Sequence, residues 1–281
     1  MNQHAPLQTT YDPHSAQPRA KGAARVAVIA DAKGVTRLRD LRQSGCLKLV
    51  FPKTFRPDAE AVLVNTSGGI TGGDRLDLTV EVTDGAALTV STQAAERIYR
   101  AQPGEEGRVR NMLSVGPNAK LSWLPQETIL FDHAALRRKL SITLDPTAEL
   151  VLAETLVFGR TAMGEIVRNL SLRDRVSITR EGAPLYLDDI SLQGDAAAHL
   201  ARPATAGGAG AICSLVCVSP SVATLLPRLR SVLPRTAGAS MIAPDTAVMR
   251  ILAPDSFVLR QSLIPVLNLL TNNTLPPCWR L

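Results

Sequence analysis

Leu76-Asp77-Leu78-Thr79-Val80-Glu81-Val82 alternates apolar and polar residues without a break, and Thr83-Asp84-Gly85 stops it before Ala86-Ala87-Leu88 opens a new run. A period of two puts Leu76, Leu78, Val80 and Val82 on one face of a strand and Asp77, Thr79 and Glu81 on the other. Asp84-Gly85 is turn chemistry, too short a connection to hold a crossover helix. The same pattern returns in Lys139-Leu140-Ser141-Ile142-Thr143-Leu144 and Arg175-Val176-Ser177-Ile178-Thr179, with turns at Gly116-Pro117-Asn118, Asp145-Pro146 and Glu181-Gly182.

Aligning the turns exposes a weak repeat: a strand ends, an Ala follows the turn, and a Leu two places later opens the next strand. The instances are Ala86/Leu88, Ala119/Leu121, Ala148/Leu150 and Ala183/Leu185, with spacings of 33, 29 and 35 residues. Spacings of this size are those of stacked structural units that bury their apolar edges against their neighbours. The expectation is a mainly β chain, built as a helix-like stack of strands (a β-solenoid), with a β-sandwich joined by similar hairpins as the alternative. Helical spacing appears only near the C-terminus, around 221–233 and 254–271, with Pro227 and Pro265 expected to kink or divide the helices. Ala247 to Leu252 between them reads as a strand. Residues 1–24, with Pro6, Pro13 and Pro18, read as a disordered polar tail, and 25–281 as one β-rich domain with two C-terminal helices. Ala204 to Gly210 reads as a mobile loop or linker.

The chain has 281 residues, 45% of them hydrophobic and 4% aromatic, so its core must be largely aliphatic. Its formal charge of +6 suits an acidic partner, but the basic residues are scattered along the chain, Arg137-Arg138-Lys139 among them, and carry no interleaved aromatics. A solvated surface is the reading of that charge, and neither a nucleic-acid nor a membrane partner is expected. No run of about 18 apolar residues and no signal peptide is present, and four irregularly spaced cysteines argue against a disulfide framework, so a reducing cytoplasmic setting is expected. Cys213 and Cys217 share one strand face and read as small buried hydrophobes.

Ser67-Gly68-Gly69-Ile70-Thr71-Gly72-Gly73-Asp74 invites a phosphate-binding reading, but Asp74-Arg75 leads into a strand, and no helix N-terminus follows to hold phosphate. Positive φ or close backbone approach explains the glycines better. No Gly-x-Ser-x-Gly elbow is present, and His4, His14, His133 and His199 form no metal-binding pattern, so neither nucleophilic catalysis nor a tight metal cage is indicated. The carboxylates are more informative. Glu154 shares the face of Leu150 and Leu152, and a carboxylate in an apolar strand must be paired, protonated, metal-bound or wetted. Arg160 or Arg97 would be its partner if it is simply ion-paired. Glu127 lies in Leu124-Pro125-Gln126-Glu127-Thr128, and Glu165 closes Gly159-Arg160-Thr161-Ala162-Met163-Gly164-Glu165.

Several blocks together resemble one family. Asn65-Thr66-Ser67-Gly68-Gly69-Ile70-Thr71-Gly72-Gly73-Asp74-Arg75-Leu76, Thr92-Gln93-Ala94-Ala95 with Ile98-Tyr99-Arg100, Trp123-Leu124-Pro125-Gln126-Glu127, and Glu154 with Phe158-Gly159-Arg160-Thr161-Ala162-Met163-Gly164-Glu165 resemble, in order and spacing, the urease accessory protein UreD (UreH) family. Leu41 to Lys48 looks like its opening strand and Leu275 to Arg280 like its closing segment, where Cys278 stands in place of a basic residue.

The resemblance implies a stack of strands with two helices and no catalysis. It implies binding to apo-urease and to UreF, which recruits the nickel-carrying GTPase UreG, and it allows for a dimeric accessory complex. It also implies an internal passage for the metal, so Ni²⁺ would be transient cargo and no cofactor would be tightly bound. A conduit should use scattered oxygen ligands, because a tight cage would retain the ion. On that reading Asp74, Glu127 and Glu154 line the path, with Glu165 a further candidate. Two competitors stand beside it. One is a β-solenoid carbohydrate-active enzyme with paired carboxylates, which should expose aromatic sugar platforms. The other is an assembly scaffold that needs no metal.

Overall fold

The computed structural model describes residues 17–279. In chain order the strands are β1 (Lys21–Ala30), β2 (Thr36–Gly45), β3 (Leu47–Val50), β4 (Ala59–Asn65), β5 (Arg75–Val82), β6 (Ala87–Thr92), β7 (Glu96–Ile98), β8 (Gly107–Val115) and β9 (Lys120–Leu124). They continue as β10 (Thr128–Leu130), β11 (Ala135–Leu144), β12 (Glu149–Phe158), β13 (Leu170–Arg180), β14 (Ala183–Gly194), β15 (Ala211–Val218), β16 (Ala237–Ala243) and β17 (Thr246–Ala253). The helices are α1 (Ala196–Leu200), α2 (Val222–Val232) and α3 (Ser256–Leu270).

Between β4 and β13 the chain alternates between two sheets, and strands of successive coils pair parallel: β5, β8, β11 and β13 in the first sheet, β4, β6, β9 and β12 in the second. This is the expected β-solenoid stack, closed by antiparallel β2 and β14 at the ends of the first sheet and extended by antiparallel β15, β17 and β16 in the second. The repeated Leu is its rung. Leu88, Leu121 and Leu150 sit opposite one another on β6, β9 and β12, each almost wholly buried. The repeated Ala86, Ala119 and Ala148 are buried at the corners, where the chain turns from one sheet to the other.

The fourth repeat departs from this pattern. Ala183 and Leu185 begin β14, which folds back on β13 within the first sheet rather than crossing to the second. The two linking residues, Glu181 and Gly182, both have positive φ (51° and 76°), the primed two-residue turn that closes a hairpin.

Both sheets bury their facing sides in one aliphatic core. The opposite side of the second sheet carries a second core, where Cys213, Leu215, Cys217, Met249 and Ile251 meet Leu226 and Leu229 of α2 and Leu259, Leu263 and Val266 of α3. Cys213 and Cys217 are buried as expected, and burial pushes both thiols up to about 12. Neither proline divides its helix: Pro227 and Pro265 lie on solvent faces, so the carbonyls they leave unpaired, four residues back at Ala223 and Gln261, face water.

Two further expectations need correction. Ala204 to Gly210 is no linker: the amides of Thr205, Ala206 and Gly207 all donate to the Arg202 carbonyl, and Ala206 is buried in the core. β1 begins at Lys21, four residues inside the stretch read as tail, because its backbone pairs with both β2 and β5 while alternate side chains are buried; most of that stretch lies outside the described residues.

Candidate functional site

The four carboxylates singled out from the sequence have four different surroundings. Asp74 is a brace for the glycine-rich turn: Oδ1 accepts from the Ala20 amide at 2.7 Å and Oδ2 from the Thr71 amide at 2.8 Å. That turn closes tightly. At Gly69 (φ 152°) an added Cβ would stand 2.3 Å from the Tyr99 ring, so the glycine serves close approach as expected. Glu165 answers Arg160, whose Nε donates to it at 2.7 Å, and that hydrogen bond holds the carboxyl below its ordinary pKa.

Glu127 fastens α3 to the second sheet. Arg260 of α3 donates to its carboxylate at 3.0 Å, to Gln126 Oε1 at 2.6 Å and to the Trp279 carbonyl at 3.1 Å. Trp279 in turn is buried and donates its Nε1 to the Leu124 carbonyl at 2.9 Å.

Glu154 alone of the four faces the space between the sheets. Its partner is neither Arg160 nor Arg97 but Arg138 of β11, which reaches across from the first sheet. Arg138 is 9% and Glu154 6% exposed, so the pair is effectively removed from water. Arg138 also holds Asp174 of β13 in a fork, Nε to Oδ1 at 2.8 Å and Nη2 to Oδ2 at 2.5 Å. Its third donor, Nη1, bonds Thr128 Oγ1 at 3.0 Å. Glu154 Oε1 accepts from Trp123 Nε1 at 2.7 Å, whereas Oε2 lies 2.7 Å from Arg138 Nη1 as a charge contact without a well-aligned hydrogen bond.

Two carboxylates therefore share one guanidinium, and Glu154 is the less well served. Burial pushes its carboxyl above the ordinary value; Arg138 pulls it back and Asp174 pushes it further. For Arg138 burial opposes the charge, yet Asp174 and Glu154 outweigh it and the guanidinium is held more firmly protonated.

Partly open cavities flank this cluster. One of about 70 Å³ is lined by Glu96, Asn111, Gln126, Thr128, Arg138 and Glu154 among apolar neighbours. A smaller one of about 10 Å³ has Glu154, Asp174, Asp188 and Ser214 as its polar lining. A cavity needs roughly 10–15 Å³ to hold one water, so the first has room for several and the second is at the threshold. Beyond it Asp188 meets Arg250, Ser214 and Tyr186 near the surface. Carboxylates thus recur along the seam between the sheets, at Glu96, Glu154, Asp174 and Asp188. Burial raises the pKa of Glu96, against the Asn65 hydrogen bond that lowers it.

Glu96, Asp174 and Asp188 were missed from sequence, although a signal existed for Asp174. It occupies the buried parity of Leu172-Arg173-Asp174-Arg175-Val176, as Arg138 does between Leu136 and Leu140. Arg138 is thus an interior residue and not part of a solvated basic run. Among the described residues no three His, Cys, Asp or Glu side chains converge as a metal cage, and no helix is long and apolar enough to cross a membrane.

Comparison with known proteins places this architecture. The family model described as UreD urease accessory protein matches residues 20–280. The urease accessory protein UreD of Ruegeria pomeroyi is 54% identical over 239 residues, 85% of this chain and 93% of that protein. That of Roseobacter denitrificans is 51% identical over 265 residues, 94% of this chain and 96% of its own. The Mesorhizobium japonicum protein is 41% identical across 97% of this chain and 98% of its own. The match runs through the glycine-rich turn, both sheets and the C-terminal helices, and the chain belongs to the UreD family of urease accessory proteins.

Proposed function

We propose that the protein, with no catalysis of its own, is a cytoplasmic scaffold that binds apo-urease and UreF, and through UreF the GTPase UreG, and that Ni²⁺ crosses its interior as transient cargo on the way to the urease active site. The observation that carries the reading is the seam of carboxylates, Glu96, Glu154, Asp174 and Asp188, running between the sheets past two partly open cavities. Oxygen donors in series, none grouped as a cage, bind a hydrated divalent ion weakly enough to let it go. We route the path through Glu154 and leave out Asp74, Glu127 and Glu165, whose oxygens serve backbone amides and arginines.

Arg138 stands in this seam and must be accommodated. With Asp174 already neutralising it, Glu154 is the surplus acid, available to a passing cation. The carbohydrate-enzyme reading loses its support, because Trp123 and Trp279 are both buried and neither can stack on a sugar.

The test is a urease operon lacking this gene, complemented with Glu154→Gln or Asp188→Asn. The expected result is urease that assembles with its accessory proteins but contains less nickel. Full nickel content with both variants would discard the passage and leave the metal-independent scaffold; failure to co-purify with urease subunits would discard the scaffold as well.

A further inference from the structure

The second sheet is covered on its outer side by α2 and α3, whereas no described element lies over the outer face of the first. That bare face is where the scattered basic residues converge. Coil by coil, the parallel register sets Lys21 opposite Arg75, Arg75 opposite Arg108, Arg108 opposite Arg137 and Arg137 opposite Arg173. One step along the strands, Arg110, Lys139 and Arg175 form a second row. The side chains point outward: Arg108 is 61%, Arg110 65% and Arg137 55% exposed.

The band holds eight cations, and three carboxylates touch it: Asp77 beside Arg110, Glu106 between Arg108 and Arg137, and Asp189 between Arg173 and Arg175. Its balance of +5 is nearly the whole formal charge of +6. Among the described residues Lys21, Arg75 and Lys139 have no carboxylate partner. A depression of about 330 Å³ lies over Arg137, Lys139, Arg173, Arg175 and Ser177.

We propose that this face docks an acidic α-helix of a protein partner, laid across the strands. Neighbouring strands are about 4.8 Å apart, so each cation row steps at that interval. A helix advances about 5.4 Å per turn, so one carboxylate per turn falls close to successive rungs over the five strands. Nucleic acid fits less well. The outer positions of these strands carry no aromatic ring for a base to stack on, and Asp77, Glu106 and Asp189 would repel a phosphate backbone. The surface is independent of the nickel passage, which runs along the opposite face of the same strands.

The experiment measures binding to the full-length protein by fluorescence anisotropy. The probe is a labelled helical peptide with glutamates alternately three and four residues apart, one per turn on one face; a 20-base-pair DNA duplex and vesicles containing phosphatidylserine are the alternatives. Arg108→Glu/Arg137→Glu/Arg175→Glu should weaken peptide binding at least tenfold. The equally charged Arg202→Glu/Arg228→Glu/Arg235→Glu, at exposed positions away from the band, should change it less than twofold. If the first triple does not fold, Arg108→Gln/Arg137→Gln/Arg175→Gln replaces it, with a loss of at least threefold expected. Equal losses in band and control variants would reduce the effect to net charge and overturn the proposal, as would tighter binding of the duplex or the vesicles than of the peptide.

Discussion

Neutralising the three members of the buried cluster one at a time should give sharply unequal losses of stability. Arg138→Met strips the guanidinium from two carboxylates that are 6% and 5% exposed, and breaking a buried pair from one side costs about 3–5 kcal/mol. Asp174→Asn removes the charge and one of the two acceptor oxygens of the bidentate fork at 2.8 and 2.5 Å, leaving Arg138 with one amide oxygen, Thr128 and the poorly aligned oxygen of Glu154. A loss of about 2–4 kcal/mol follows from a buried guanidinium whose only remaining counter-charge is the poorly aligned carboxylate of Glu154. Glu154→Gln is different. It keeps an oxygen for Trp123, removes a charge that burial and Asp174 both oppose, and brings the cluster from one net negative charge to none. The lost attraction to Arg138 and the relief of desolvation nearly offset, so the expected change is within about 1 kcal/mol. Equilibrium urea unfolding of the four proteins at neutral pH, followed by circular dichroism and compared at unchanged m-value, reads the order directly. A Glu154→Gln loss as large as that of Asp174→Asn would refute the assignment of Glu154 as the surplus acid, and with it the argument that this carboxylate is free to meet a cation.

The same residue should leave a signature in pH. Its folded-state pKa is raised above the ordinary 4.5, so its contribution to stability is fully present below about pH 4.5 and is lost as pH rises through the folded value. The slope in that window approaches about 1.4 kcal/mol per pH unit for one proton. The stability advantage of the wild type over Glu154→Gln should therefore shrink between pH 4.5 and neutrality, and parallel profiles would contradict it. In the second sheet, Leu121→Ala removes the middle rung between Leu88 and Leu150, and a loss of about 2–5 kcal/mol is expected. Thermal unfolding should read that as a fall of about 5–15 °C, and a fall of less than about 2 °C would show that the rungs are not mechanically coupled.

The stack was legible in the sequence because its signals are local. Each Ala-x-Leu after a turn records a corner and a rung, and Leu88, Leu121 and Leu150 line up as that pattern requires. The repeat broke at Ala183 because the φ values of Glu181 and Gly182, not the Ala and Leu themselves, decide whether the chain crosses over or turns back. Partnerships across the stack were not legible. Arg138 and Glu154 are close in sequence but on different sheets, and which of several arginines meets the acid depends on how the sheets face each other. The basic band was hidden for a related reason. Arg75, Arg108, Arg137 and Arg173 look scattered along the chain, and only the parallel register makes neighbours of residues about 30 positions apart. The acidic candidates show the opposite difficulty, since carboxylates that brace turns, such as Asp74 and Glu165, look in sequence like any other carboxylate beside glycine.

Parallel pairing of successive coils also bears on how the molecule comes into being. Each rung joins strands separated by about 30 residues, so a loop of that length must close before its hydrogen bonds and leucine contacts give any return. During synthesis the newest coil presents an unpaired strand edge until the next emerges, and the closing hairpin at Glu181-Gly182 arrives only after two thirds of the chain has been translated. Slow maturation and self-association of nascent chains at that edge are the built-in hazards of such an architecture, and early capture by another protein is what would contain them.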